Sequence, residues 1–376
     1  MDNEELACSK AKEYFSLCKN LLQSGKSTIL AADVSHLEKM IQIELPFALK
    51  KNAPPHFPEL YFDFIYEYEK FREFVLYEHL IGKNVVALGG GFSSGKSSFL
   101  NSLLGKPLLP AEIDPSTSVP TYIVNDQTEF VYAVNLFDAK VALQTTEIKT
   151  IAHGFGEETD EEGTVVSEEI TLGHILKSMF LATPLQTFDH IAFLDTPGYS
   201  KSDTASYSAK TDEKIARAQL NSSNYILWFI QADAGTITEE DVQFIQNLRK
   251  ETPKLFIVNK ADKCTPENLE KIKEKIKDVL DIKGISYVDV LSYSRRKPQE
   301  YGSVQIREYL AHWNQAVYES TFAYNFKVLF VKCKEYYEEI IDEESRRLNR
   351  LQKALTLSDD TTVTECLQSL VNEIKR

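Results

Sequence analysis

The chain has 376 residues, 43% of them apolar, which is enough for more than one folded domain with a real core. Its formal net charge is −14, and because no long Lys/Arg run offsets that charge, the sequence argues against a nucleic-acid partner. The five cysteines lie far apart, the first residues are acidic, and no apolar run approaches the ~20 residues of a membrane span. We therefore expect a cytoplasmic protein with free thiols.

Residues 1–81 are expected to form the N-terminal helices of a bundle. Apolar side chains recur there at helical spacing, and Pro46 should kink or end the second helix. A third helix should begin at Pro58 and run to about Leu80, with a stripe of aromatic side chains on one face. Such a stripe predicts packing against other helices.

A glycine-rich loop opens the second region, expected at residues 82–300. An apolar strand over Asn84–Leu88 leads into the pattern G-x-x-x-x-G-K-[ST], and a helix follows up to Gly105. The N–H groups of such a loop and helix N-terminus cradle the phosphates of a nucleotide. Lys96 should neutralise the β- and γ-phosphates, and the Ser97 hydroxyl should hold Mg²⁺. The loop residues predicted to bind the nucleotide are Gly90, Gly91, Phe92, Ser93, Ser94, Gly95, Lys96, Ser97 and Ser98.

Strands then alternate with helices, which predicts an α/β domain with a mainly parallel sheet and helices on both faces. The strands Thr121–Val124 and Glu129–Val134 are expected to pair as a hairpin, and a helix is expected from about Glu168 to Leu181. A strand over Phe188–Leu194 should follow and deliver the tetrapeptide 195–198 at its end.

That tetrapeptide is Asp195-Thr196-Pro197-Gly198. A carboxylate at the end of a strand suits a water-mediated Mg²⁺ ligand, and the Gly198 N–H is placed to reach the γ-phosphate.

The motif Asn259-Lys260-Ala261-Asp262 predicts which base is bound. The Asp262 carboxylate can accept from the two donors of guanine, N1–H and NH₂, whereas adenine has no such pair and would leave the carboxylate unpaired. Asn259 should tie this loop to the phosphate loop, and the Lys260 stem should cover the base. Ser292, after the last strand, is a further residue expected to contact the base. The predicted nucleotide is therefore GTP or GDP.

Residues 301–376 are expected to form the C-terminal helices of the bundle or stalk. Apolar residues alternate there at spacings of four and three, which is typical of a helix-packing seam. The seam consists of Phe322, Phe326, Leu329, Cys333, Tyr336 and Ile340. Its natural partners are the aromatic N-terminal helices.

In their order, Gly90–Ser97, Thr117, Asp195–Gly198 and Asn259–Asp262 resemble the signature of a P-loop GTPase. The longer stretch from Gly91 through Thr121 is similar to bacterial dynamin-like proteins. The resemblance implies Mg²⁺-dependent GTP hydrolysis, a GTPase domain flanked by a helical bundle built from both chain ends, and a GTP-dependent homodimer through the GTPase domain. It also implies that Thr117 holds Mg²⁺ and the attacking water, and that Ser93 joins Lys96 in dimer-coupled catalysis.

Two residues depart from the family pattern. Phe92 stands where animal dynamins carry a glutamine, and Tyr199 stands where small signalling GTPases place the glutamine that orients water. No side-chain base is evident, so hydrolysis should rest on positioning and electrostatics and be slow in a monomer.

The expected function is a GTPase that moves its helical bundle when its heads pair. The alternative is a non-mechanical GTPase switch, or a scaffold, that recruits an effector in its GTP state. We recognise no lipid-binding module beyond the stalk. Two roles of the helical bundle therefore stay open, which are contact with a membrane by a peripheral protein and contact with a partner chain.

Overall fold

The computed structural model of the protein describes residues 3–22, 33–49, 57–110, 119–153, 172–198, 207–316 and 322–374. The chain forms two compact units, one of Met1–Ile29 with Leu76–Tyr318 and the other of Leu30–Val75 with Glu319–Arg376. The division therefore differs from the boundaries expected after residues 81 and 300. Its cause is packing, because the first helix and the helix after residue 302 bury their apolar faces in the core of the first unit.

The first unit is built around one mixed sheet. Among the described residues the sheet has nine strands in the order β4-β3-β5-β2-β6-β1-β7-β8-β9. The strands are β1 Asn84–Gly89, β2 Thr121–Asn125, β3 Phe130–Asn135, β4 Lys140–Leu143, β5 Leu176–Thr183, β6 Ile191–Asp195, β7 Tyr225–Gln231, β8 Lys254–Asn259 and β9 Asp289–Ser292. The adjacent strands β6, β1, β7, β8 and β9 pair in parallel, so their carboxyl ends meet at one edge.

The central strands are apolar on both faces. All residues of β6 and of β8 are buried, as expected for parallel strands covered on both sides. The helices of this unit are α1 Asn3–Leu21, α5 Lys96–Leu104, α6 Thr145–His153, α7 Tyr207–Ser222, α8 Glu239–Gln246, α9 Pro266–Ile282 and α10 Ser303–Gln315. The α/β fold class predicted from the sequence is confirmed.

Two local predictions for this unit are wrong. Strands β2 and β3 do not pair as a hairpin, because β5 lies between them, parallel to β2 and antiparallel to β3. The segment predicted as a helix to Leu181 supplies β5, while its first residues, up to 171, lie outside the described part of the chain. Seven of the eight β5 residues are buried, and pairing on both edges of a central strand overrides local helix preference.

The second unit is helical. Its helices are α2 Ser35–Lys39, α3 Leu45–Leu49, α4 Phe57–Leu76, α11 Phe322–Leu357 and α12 Thr361–Ile374. Pro46 does not end its helix: a π-helical segment, Met40–Glu44, precedes it and the helix continues to Leu49. Proline lacks the N–H that an α-helical turn requires, which explains a local change of helix type at this point.

The core of the helical unit joins residues from both ends of the chain. Leu329 and Cys333 of α11 pack with Ile41, Phe64 and Tyr68 from the N-terminal helices. The predicted seam therefore has the predicted partners. Among the described residues, no helix combines the length and the apolar character needed to cross a membrane.

Replacing Phe64 tests this core. Its side chain is fully buried and its ring lies 4.8 Å from that of Phe330. Because truncation leaves a cavity, Phe64→Ala should lower the free energy of unfolding by about 3–5 kcal/mol. Phe62→Ala, two residues away and 70% exposed, is the matched control and should change it by less than ~0.5 kcal/mol. Chemical denaturation followed by circular dichroism measures both, and equal effects would contradict the assigned core.

Candidate functional site

The glycine-rich loop lies between β1 and α5, as predicted. Gly90 and Gly95 have φ angles of 132° and 93°, which side chains rarely adopt. A Cβ on Gly90 would lie 2.5 Å from the Phe229 carbonyl oxygen, and one on Gly95 would lie 2.2 Å from Asn259 Nδ2. These two glycines are therefore required by the close approach of Phe229 in β7 and of Asn259 at the end of β8. Ser93, with φ 54°, is exposed at the tip of the loop.

Lys96 is the first residue of α5 and is buried. Its Nζ donates to the carbonyl oxygens of Gly90 at 3.0 Å and Gly91 at 3.2 Å. Burial lowers the pKa of Lys96 to about 8, and the charges of Asp195 and Asp241 oppose that shift. The cation is thus held inside the loop by backbone oxygens and two nearby acids.

Asp195 ends β6 directly opposite Leu88 of β1, and it is 1% exposed. One carboxylate oxygen accepts the Ser97 hydroxyl at 2.6 Å, while the other, Oδ1, is buried and has no hydrogen-bond partner among the described residues. Burial raises the pKa of Asp195 to about 6, with Ser97 and Lys96 opposing the rise. An unpaired buried carboxylate oxygen is costly unless a cation or water binds it. Together with a serine hydroxyl, it is an oxygen donor set that suits Mg²⁺.

The segment after Asp195 runs alongside the glycine-rich loop. The Thr196 hydroxyl donates to the Leu88 carbonyl at 2.6 Å and so ties the segment to β1. A Cβ on Gly198 would lie 3.0 Å from the Phe92 ring and 3.4 Å from Lys96 Nζ. Gly198 therefore lies beside Phe92 and Lys96 of the glycine-rich loop.

The predicted base-reading loop is tied to the glycine-rich loop by one side chain. Asn259 Nδ2 donates to the Ser94 carbonyl at 2.8 Å, and its Oδ1 accepts the Lys260 N–H at 2.7 Å. Lys260 has a φ of 60°, and its Nζ donates to Gln231 Oε1 at 2.7 Å. The predicted tie from Asn259 is present.

Asp262 is held from the loop after β9. Its Oδ1 accepts the hydroxyl of the fully buried Ser294 at 2.5 Å, and its Oδ2 lies 3.8 Å from Arg296. The expected residue Ser292 ends β9 instead, and Ser294, two residues later, makes the contact with Asp262. The predicted contact of Ser292 with the base stays a prediction.

Thr117, the predicted Mg²⁺ ligand, and Tyr199, which follows Gly198, lie outside the described residues. Asp241, in the first turn of α8, is not among the predicted site residues, yet it is buried, and burial raises its pKa to about 6. Its carboxylate accepts the Thr238 hydroxyl at 2.9 Å. The sequence Glu239-Glu240-Asp241 alone does not indicate that Asp241, rather than its two acidic neighbours, is buried.

Comparison with known proteins finds two family models that match this chain. The Dynamin family model matches residues 86–262, which include all the loops described above except the one after β9. A Septin model matches residues 193–367, a range that begins after the glycine-rich loop.

Individual relatives are similar over about half of the chain. Dynamin-like protein 2 of Campylobacter jejuni is 28% identical over 202 residues, covering 53% of this chain and 29% of its own length. Dynamin-like protein A of Bacillus subtilis is 25% identical over 209 residues, covering 54% of this chain and 15% of its own length. A solved structure of an oligomerised bacterial dynamin pair has a TM-score of 0.48 and 17% identity, covering 94% of this chain and 53% of that chain. This chain thus spans less than a third of the length of either curated relative.

The buried Asp195 makes a prediction about pH. Its pKa rises from 3.8 to about 6 on folding, so the nucleotide-free protein loses stability as the pH rises through that interval. Asp195→Asn removes this ionisation, and its stability relative to the wild type should increase by about 2 kcal/mol between pH 4.5 and 7.5. Urea denaturation in EDTA measures the difference.

The control for this prediction is Asp278→Asn, which changes an exposed carboxylate on α9 and should show no such pH-dependent gain. A stability difference between Asp195→Asn and the wild type that stays constant with pH would contradict the raised pKa of Asp195.

Proposed function

We propose that this chain is a GTPase that binds GTP with Mg²⁺ and hydrolyses it to GDP and phosphate, and the match of residues 86–262 to the Dynamin family model supports this proposal. One observation carries the proposal: the unpaired, buried Asp195 Oδ1 lies beside Ser97 and the lysine-bearing loop. A buried acid without a hydrogen-bond partner next to a phosphate-binding loop is what an oxygen-coordinated cation would complete.

The phosphates are expected to bind to the N–H groups of Gly90–Ser98, at the N-terminus of α5. Lys96 Nζ would exchange its two carbonyl contacts for phosphate oxygens, which are better acceptors for a cation. The described residues hold no group of three or more His, Cys, Asp or Glu side chains that could bind a metal. Mg²⁺ is therefore expected on Ser97, on Asp195, directly or through water, and on the phosphates, with Thr117 as a further ligand. When bound, Mg²⁺ supplies positive charge that stabilises the reacting phosphates.

The base is expected against Asp262, whose carboxylate would accept from guanine N1–H and NH₂. Ser294 donates to the same carboxylate and fixes its orientation, and Asn259 holds the loop at a set distance from the phosphate loop. Lys260 contributes its aliphatic stem. Ser292 stays a proposed contact only through its position at the end of β9.

Hydrolysis is expected to depend on positioning. The Gly198 N–H is proposed to donate to the γ-phosphate, and Thr117 to hold the attacking water. Phe92 supplies no hydrogen-bonding group, so a single head should turn over slowly. We infer that Ser93, exposed on the loop, acts when two GTP-bound heads pair as a homodimer.

The proposed output of this cycle is movement of the helical unit. The helical unit is proposed to contact a membrane or a partner chain, with the protein cytoplasmic or peripheral to a bilayer. No nucleic-acid partner is proposed, because the net charge is −14.

Lys96→Ala tests the phosphate site. Loss of the buried cation should weaken GTP binding at least ~100-fold, since a charge-assisted contact to phosphate and its neutralisation both disappear. Titration with a fluorescent GTP analogue measures the affinity. Lys275→Ala, an exposed lysine on α9, is the control and should bind like the wild type. Unchanged GTP hydrolysis by the Lys96→Ala variant would contradict the assignment of the glycine-rich loop as the phosphate site.

Asp262→Asn tests the base assignment. An amide offers guanine a donor where a carboxylate accepts, so affinity for GTP should fall at least ~10-fold while affinity for xanthosine triphosphate rises. Competition binding with both nucleotides measures the switch. Asp233→Asn removes a nearby carboxylate that pairs with Lys263, and it should keep the preference for GTP. A strict GTP preference retained by Asp262→Asn would count against the role given to this residue.

A further inference from the structure

The turn between β3 and β4 presents two large apolar side chains to solvent. β4 is the edge strand of the sheet, and the turn Asn135–Asp138 joins it to β3. Leu136 is 52% exposed and Phe137 is 62% exposed. Exposed apolar pairs at a hairpin tip are costly for a soluble protein and so indicate a binding surface.

This turn is firmly held. Asn135 is 1% exposed, and its Oδ1 accepts the N–H groups of Phe137 and Ala139, each at 2.9 Å. The Leu136 N–H donates to the Ile175 carbonyl at 3.1 Å, and the Asp138 N–H donates to the Asn135 carbonyl at 3.0 Å. The exposure of the two apolar side chains is therefore a property of an ordered turn, and little conformational entropy is left to lose when they are buried.

The end of α1 adds to the same surface. Asn135 Nδ2 donates to the Leu21 carbonyl at 2.8 Å, which places the turn against the end of the helix. Leu22, the next residue, is 52% exposed, and Phe15, seven residues earlier on the same side of the helix, is 71% exposed. We call Phe15, Leu22, Leu136 and Phe137 the apolar edge.

Lysines accompany the apolar edge. Lys19 lies in the last turn of α1, Lys140 begins β4, and both are exposed. Lys177 is 2.6 Å from Asp138, so that pair is neutral and the other two lysines give the edge a local positive charge. This contrasts with the net charge of −14 for the whole chain.

We propose that the apolar edge is a surface that docks on an anionic lipid bilayer, with Leu136 and Phe137 inserted among the head groups. The two apolar side chains lie on a short connection of four residues, 136–139, and a lipid surface accepts an exposed apolar tip of this kind. Lysines beside such a tip add attraction to anionic head groups, and their stems can lie along the interface. The surface uses none of the nucleotide-site residues, so it is independent of the proposed GTPase function, and all four of its residues belong to the first unit.

Flotation of the nucleotide-free full chain with vesicles tests the proposal. The vesicles are phosphatidylcholine alone, or phosphatidylcholine with about one third phosphatidylglycerol to supply anionic charge. The wild type should float with the anionic vesicles, and the double variant Leu136→Ser/Phe137→Ser should lower its partition coefficient by about tenfold or more, because two apolar side chains no longer leave water. Lys19→Glu/Lys140→Glu should weaken binding to the anionic vesicles and leave the neutral ones unchanged.

Ile282→Ser, which changes an exposed apolar side chain at the end of α9 in the first unit, is the matched control and should float like the wild type. Melting curves verify that each variant is folded, and GTP turnover measured in parallel separates this proposal from the nucleotide site. Failure of the wild type to float, or equal flotation of the double variant, would overturn the proposal. So would a change in sedimentation of the double variant without vesicles, because it would assign the apolar edge to contact between copies.

Discussion

The contact between the Asp195 carboxylate and the Ser97 hydroxyl joins the end of β6 to the first turn of α5, the helix that follows β1 and the glycine-rich loop. It brings the buried Asp195, the buried Lys96 and the glycine-rich loop close together. The opposite charges of the acid and the lysine offset part of the free-energy cost of burying each of them. Burial raises the pKa of Asp195 and lowers that of Lys96, while their opposite charges resist both shifts. A protein core selected for stability alone would not keep such a group, since an apolar replacement costs less.

Sheet topology makes that contact possible. The strands β6, β1, β7 and β8 are neighbours in this order and all run in parallel, so the loops that follow them share one edge. Asn259, at the end of β8, then connects to the glycine-rich loop after β1 through the Ser94 carbonyl. The apolar strands therefore do more than fill the core: they set the spacing between the lysine, the acid and the base-reading loop.

Motifs with a fixed local geometry could be predicted from the sequence, and pairing over long distances could not. The glycine-rich loop, its two flanking elements and the Asn259 tie follow from a few adjacent residues, and the resemblance to bacterial dynamin-like proteins that they carry is confirmed by the Dynamin family match. The insertion of β5 between β2 and β3 depends on partners dozens of residues away, so local pattern misassigned it. Likewise, the periodicity of a helix start does not distinguish the buried Asp241 from its exposed neighbours.

The measurement that tests the central claim most directly is the GTP turnover rate per molecule as a function of protein concentration. We predict a slow rate in dilute solution that rises with protein concentration. A single GTPase domain is expected to lack a side-chain base, and the GTPase domain of a second molecule is expected to complete the site. The rise should be accompanied by dimer formation in the sedimentation profile. A rate that is the same at every concentration would contradict dimer-coupled hydrolysis and favour a non-mechanical switch, and an absence of turnover at any concentration would contradict the GTPase assignment itself.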